Sequence, residues 1–204
     1  MPSVVLEWLA EHWSVGQKTI PEYADVVVMA TMAATPHGLT LGSAEIVKYS
    51  RGLLSRYPNA RAVFGVYAYS VDPVIEILEK QQLLPPGRCV YTGEVRNTDH
   101  EATQAAAAAP EAKHVVAVTD EWHSRSFALG LHRAYRALGK QPKITVLAIS
   151  PLHVLGVHNP ILALRSHWKW ACANVLRHLF MRFVPFSRKI MLETNLIRQP
   201  GAER

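Results

Sequence analysis

Residues 26–30, Val-Val-Val-Met-Ala, form an unbroken apolar run of strand length, the pattern of a strand buried on both faces of a parallel sheet. Similar runs recur along the chain. Ala62 to Val66, Cys89 to Tyr91, His114 to Thr119 and Lys143 to Ile149 read as four further strands. Segments of helical spacing separate them. Ser43, Ile46, Val47, Leu53 and Leu54 lie on one helical side before Pro58-Asn59. Asp72-Pro73 opens a second helix, with Val74, Ile75, Ile77 and Leu78 as its apolar side. Thr98 to Ala109 is rich in alanine, the best helix former, and meets Pro110. Ser124 to Leu138 ends at Gly139, a C-cap signal. A long last helix is expected from about Pro160 to Phe183, and residues 3–13 read as a short amphipathic helix.

Strands alternating with helices predict one α/β domain, a three-layer Rossmann-like fold with a mainly parallel sheet of about five strands. Its limits are residues 25–184. An N-terminal helical extension, 1–24, precedes it, and a polar tail, 185–204, expected to be disordered, follows. The 204 residues suffice for one core and are too few for two ordinary domains. The composition, 49% hydrophobic and 19% charged, argues against wholesale disorder. No apolar run approaches the roughly 18 residues of a membrane span, and no signal-peptide pattern stands at the start. Cys89 and Cys172 form no metal pair or redox motif. A reduced, cytoplasmic protein is the expectation. The net charge of +6 fits an anionic small molecule or an acidic membrane surface, and equally a solvated basic surface. Nucleic acid is not favoured as a partner, and the oligomeric state is left open.

In open parallel sheets, ligands bind beyond the carboxyl ends of the strands. That rule selects four segments. The first, Thr31 to Ser43, carries Thr31, His37, Thr40 and Ser43 ahead of a helix N-terminus, where backbone N–H groups can hold a phosphate. No dinucleotide or Walker fingerprint accompanies them, and an ordinary long loop is the alternative. The second is Ala68 to Asp72. The third, Gly93 to Glu101, places Asn97, Thr98 and His100 at a strand end, although Asn97 or Thr98 with Glu101 also fits a simple capping box. The fourth, Thr119-Asp120-Glu121-Trp122-His123-Ser124-Arg125, is the sharpest. His123 is the candidate general acid or base, and Asp120 and Glu121 would orient it or a metal. Arg125 would grip a phosphate or carboxylate bidentately. The plainer reading makes Asp120 a cap and His123 and Arg125 surface residues of the first turn. Asp120, Glu121, His123, His37 and His100 are the candidate ligands of a divalent metal, without the spacing of a strong metal motif. In the last helix, Trp168, Trp170, Phe180 and Phe183 alternate with Lys169, Arg177 and Arg182. This suits an interfacial helix on an anionic membrane. Leu162, Leu164, Val175, Leu176 and Leu179 instead suggest packing on the sheet.

The strand ending in Thr119, followed by His123 and an arginine, resembles the VTxxxHxxR motif of the DUF218 family, which includes the bacterial envelope proteins SanA, ElyC and YdcF. Asn97-Thr98 is similar to that family's NTxEN motif, and the spacing between the two motifs fits. The resemblance spans roughly Asp25 to Phe183. It implies a Rossmann-like domain, a site at these two motifs, and a role linked to envelope glycan or lipid-carrier metabolism or to binding of S-adenosylmethionine. The chain departs from the family pattern at several places. Ala30-Thr31 replaces a Gly-Gly pair, His100 and Glu101 stand at the Glu and Asn of NTxEN, Ser126 stands where the motif arginine belongs, and Ser166 replaces an acidic residue. The function expected on this reading is a small-molecule hydrolase or transferase for a phosphate-bearing or nucleotide-like ligand. A non-catalytic, envelope-associated binding protein is the alternative.

Overall fold

A computed structural model describes residues 3–30, 33–35, 38–67, 78, 84–85, 87–150 and 166–183. The elements are α1 (Ser3–Trp13), β1 (Val26–Met29), β2 (Ala34–Thr35), β3 (Gly38–Leu39), α2 (Leu41–Arg56), β4 (Arg61–Tyr67), β5 (Cys89–Val95), α3 (Thr98–Ala108), β6 (His114–Asp120), α4 (Ser124–Ala137), β7 (Lys143–Ile149) and α5 (His167–Phe183). Five strands form one parallel sheet in the order β5-β4-β1-β6-β7. This is the three-layer Rossmann-like architecture that the alternating pattern predicts. The chain runs outward from β1 through β4 to β5, then crosses back over α3 to β6 on the other side of β1. The topological switch point therefore lies between β1 and β6. There Val26, Val27, Val28 and Met29 pair with Val115, Val116, Ala117 and Val118.

The two central strands are buried along their whole length, which is why they read as continuous apolar runs. Helix α2 packs on β1, β4 and β6, while α3 and α4 pack on each other. The main core joins β1, β4 and β6 to Leu54, Phe127, Leu131 and Tyr135. Gly65 in β4 is required by close approach. A Cβ there would lie 2.2 Å from Val95 Cγ2 of the neighbouring strand. Helix α4 ends as its glycine predicts. Gly139 takes φ +70°, Lys140 N–H donates to the Tyr135 carbonyl, and Gly139 N–H donates to that of Arg136.

The structure departs from the sequence reading in four places. The loop before α2 contains a short antiparallel ladder, Ala34 with Leu39 and Thr35 with Gly38, where Gly38 supplies a positive φ of 128°. Helix α2 starts two residues early, because Thr40 rather than a later residue is its cap. Strand β5 runs four residues beyond Tyr91. It is an edge strand with alternating exposure, so its second half lacks an apolar run. In α5, Leu176 and Leu179 are exposed, and it is Trp170, Ala171, Asn174 and Met181 that are buried. The helix expected after Asp72-Pro73 lies outside the described residues except for Leu78, which is helical and buried. The start of the last helix before Ser166 and the polar tail also lie outside them.

The N-terminal segment packs on the sheet domain. Trp13 Nε1–H donates to the Trp122 carbonyl at 3.0 Å, Val15 N–H to Ser124 Oγ at 3.1 Å, and Gln17 N–H to the Val146 carbonyl at 2.7 Å. A second, smaller apolar cluster forms where α1, α5 and the β6–α4 turn meet. It is built from Ala10, Trp122, Trp170 and Ala171, with Leu9, Trp13, Ile149 and Val175 against it.

Candidate functional site

A cavity of about 70 Å³ lies at the switch point. Its walls come from the ends of the three central strands and the segments around them. Ala30 ends β1, Ala33, Thr40 and Ser43 come from the loop and first turn of α2, and Tyr67 ends β4. Asn97, Thr98 and Glu101 come from the start of α3, Asp120 and His123 from the β6–α4 turn, and Trp170 and Arg177 from α5. A larger groove of about 690 Å³ lies between α2 and the end of β7, lined by Glu45, Lys48, Arg56 and Ser150 among others. The smaller cavity holds three buried ionisable groups, Glu101, Asp120 and His123, an arrangement common at functional sites.

Each polar wall residue is held by local geometry. Asn97 caps α3, its Oδ1 accepting from His100 N–H at 2.8 Å. This leaves Thr98 Oγ1 directed at His123 Nε2, 3.0 Å away. Thr119 Oγ1, from the penultimate residue of β6, meets His123 Nδ1 at 3.1 Å. Both ring nitrogens are thus engaged by hydroxyls. A neutral imidazole carries one N–H and one lone pair, so one threonine accepts and the other donates. The ring stacks on Phe127, 5.4 Å between centroids. Burial, with the nearby Arg177 charge, pushes its pKa down to about 3. His123 is therefore neutral at physiological pH.

Asp120 is the opposite case. Burial pushes its carboxyl up to about 6. Three donors and the Arg177 charge hold it below that of a bare buried acid: Trp170 Nε1–H at 3.0 Å to Oδ1, and the N–H groups of His123, at 3.1 Å to Oδ1, and Trp122. Asp120 caps the turn before α4 and lines the cavity at once, and His123, which the plain reading put on the surface, is buried. Arg177 reaches the cavity from α5. Its guanidinium lies 5.7 Å from the Trp170 ring centroid and donates from Nη1 to Asn174 Oδ1 at 3.3 Å. In turn, Asn174 donates from Nδ2 to the Trp170 carbonyl at 2.9 Å. Thr40 and Ser43 complete the wall. Their hydroxyls are 2.9 Å apart, and Ser43 Oγ accepts from Ala33 N–H at 2.8 Å.

No protein-family model matches the chain, and no curated protein matches it. The site must be read from its own geometry.

Of the residues selected from sequence, Asp120, His123, Asn97, Thr98, Thr40 and Ser43 line the cavity, and Thr119 lies directly beneath His123. Thr31 and His37 lie outside the described residues. His100, Glu121 and Arg125 are not in the cavity wall. Glu121 opens the turn after β6, and its charged neighbours include Glu7 and Glu11 of α1 and the nearby Lys18. Burial, then the Glu11 and Asp120 charges, pushes the Glu121 carboxyl up to about 7. Arg125 is drawn to α1 as well. It donates from Nε to the Trp13 carbonyl, and its guanidinium stands 5.0 Å from the Trp13 ring centroid. Among the described residues, no three His, Cys, Asp or Glu side chains are grouped to hold a metal ion. No helix among them is long and apolar enough to cross a membrane.

Sequence reasoning passed over Trp170, Arg177 and Glu101 as cavity residues. A signal for the first two exists. Trp170, Asn174 and Arg177 recur at i, i+4 and i+7, on one helical face, in a helix otherwise read by its hydrophobic content alone.

Proposed function

We propose that the switch-point cavity takes the phosphoryl group of a hydroxyl-bearing, nucleotide-like phosphate ester, and that the protein is a hydrolase or transferase acting on it. One observation carries this reading: Asp120 and Arg177 face the same small cavity from different elements. A guanidinium holds phosphoryl oxygens in a fixed fork. A carboxyl with a pKa of about 6 suits proton transfer near neutrality. Glu101 adds an acceptor for substrate hydroxyls. His123, neutral and bound at both nitrogens, positions the Thr98 and Thr119 hydroxyls instead of exchanging protons with substrate. The acid–base role passes to Asp120, and anion binding passes from Arg125 to Arg177.

A thermal-shift screen of nucleotides, sugar phosphates, S-adenosylmethionine and divalent cations tests the binding, because a ligand of the native state raises its melting temperature. Arg177→Gln is expected to weaken binding of a phosphate-bearing hit by about tenfold or more, the loss of one charge-assisted contact. Equal affinity in that variant would remove the reading. For turnover, Asp120 must be ionised to accept a proton, so kcat/KM should climb as pH rises through about 6. That limb should vanish in Asp120→Asn along with about 100-fold or more of the rate.

A second reading, a non-catalytic and envelope-associated binding protein, is favoured by the locked state of His123. It predicts the same Arg177-dependent binding with no turnover in the wild type. The DUF218 resemblance supports both readings to the same degree, since Asn97, Thr98, Thr119 and His123 meet at one place.

A further inference from the structure

A second cluster of charge stands apart from the cavity, on the seam between α4 and α5 beside Trp13. The sequence contains no Asp or Glu between Glu121 and Glu193, so neither helix carries a carboxylate. Three arginines, Arg125 and Arg133 of α4 and Arg182 of α5, act electrostatically on His178 of α5. Trp13 ties the group together. Its ring lies beneath the Arg125 guanidinium at 5.0 Å and edge-on to His178 at 5.5 Å. Two polar atoms of the cluster, Arg133 Nη1 and His178 Nδ1, are buried without a hydrogen-bond partner. Arg182 is exposed and opens the group to the surface. Of the nearest acids on α1, Glu11 is already paired with Lys18 at 2.6 Å, and Glu7 acts on His167 and Glu121.

Three like charges around a half-buried imidazole repel one another, and each buried polar atom left without a partner carries a desolvation penalty. A single anion with several acceptor oxygens relieves both. We infer that Arg125, Arg133, Arg182 and His178 form a second anion site, selective for a terminal phosphoryl group. Phosphoryl matches the arrangement better than chloride or a lone carboxylate, because it offers three oxygens to donors arriving from two helices and can take an arginine bidentately. Burial first, and then Arg125, Arg182 and Arg133, hold the His178 pKa below its ordinary value, consistent with a positively charged surround. The phosphoryl could be that of a soluble phosphate ester or of an anionic lipid headgroup.

The test titrates inorganic phosphate into the whole protein at constant ionic strength set with chloride, with melting temperature as readout. Co-sedimentation with phosphatidylcholine vesicles containing phosphatidic acid runs in parallel. Variants Arg182→Gln and Arg133→Gln are compared with Arg177→Gln, which alters only the switch-point cavity. Saturable stabilisation by phosphate is expected, weakened about tenfold in Arg182→Gln and Arg133→Gln and retained in Arg177→Gln. Arg182 is exposed, so its variant remains informative even if Arg133→Gln fails to fold. A response to phosphate alone identifies a soluble ester as the occupant. Vesicle binding lost in Arg182→Gln, without a response to free phosphate, identifies a headgroup. No response in either arm, or binding unchanged by Arg182→Gln, overturns the site.

Discussion

Replacing Trp170 with alanine should destabilise the protein by about 3–5 kcal/mol, the usual cost of truncating a buried tryptophan. The side chain is only 5% exposed and forms part of the apolar cluster that joins α5 to α1 and the β6–α4 turn. Its Nε1–H also serves the buried Asp120 carboxyl. Alanine removes the packing and the donor together. Trp170→Phe separates them, since the ring is largely kept while the donor is lost. The phenylalanine variant should cost less and should raise the Asp120 pKa further, because one group that stabilises the ionised form is gone. Urea denaturation of both variants measures the first effect, and an NMR titration of the Asp120 carboxyl measures the second. A loss under about 1 kcal/mol in Trp170→Ala would mean that α5 does not anchor the site.

Asp120→Asn should act in the opposite direction and stabilise the protein at pH 7.5 by about 3 kcal/mol. A carboxyl raised from 3.8 to about 6 on folding costs that order of free energy once ionised. The native state binds this proton more tightly than the unfolded chain. Stability from Asp120 is therefore fully present below pH 3.8 and is lost as pH rises through about 6. Asparagine keeps the Oδ1 acceptor for Trp170 Nε1–H and His123 N–H but does not ionise. His123 works in the other sense. Its pKa falls on folding from 6.5 to about 3, so its contribution is full above pH 6.5 and is lost as pH falls toward 3. In the wild type the two slopes oppose each other between about pH 4 and 6. In Asp120→Asn the His123 slope is left unopposed, and stability should climb more steeply over that window. Denaturation midpoints of the two proteins compared at pH 4 and pH 7.5 check this, since other titrating groups cancel in the difference. An equal gap at both pH values would show that the Asp120 carboxyl is not raised.

Much of the architecture was legible because its cause is local. The apolar runs at Val26 and His114 read as central strands because burial on both faces demands apolar residues at every position. Gly139 and Asn97 marked helix ends because a positive φ and a free N–H group have specific residue solutions. The place of the cavity also followed, since parallel pairing with a reversal of strand order leaves a crevice at the switch point. The second half of β5 was not legible, because an edge strand buries too little to need a pattern.

The residues that form the cavity wall were a different matter. Asp120, Glu121, His123 and Arg125 stand within six positions, and the sequence pattern places all four at one site. Packing separated them. Asp120 and His123 turned inward under Trp170, while Glu121 stayed outside the cavity wall and Arg125 turned toward α1, where Trp13 offers a carbonyl and a ring face. Arg177 entered from more than fifty residues away because α5 docks against that same turn. The sequence by itself determined the parallel sheet, the caps and the strand ends that border the cavity, since these follow from burial and backbone geometry over a few residues. Only the tertiary structure decided which charges share a cavity, because that depends on long-range docking of α1 and α5, and neighbours in the chain need not face the same side.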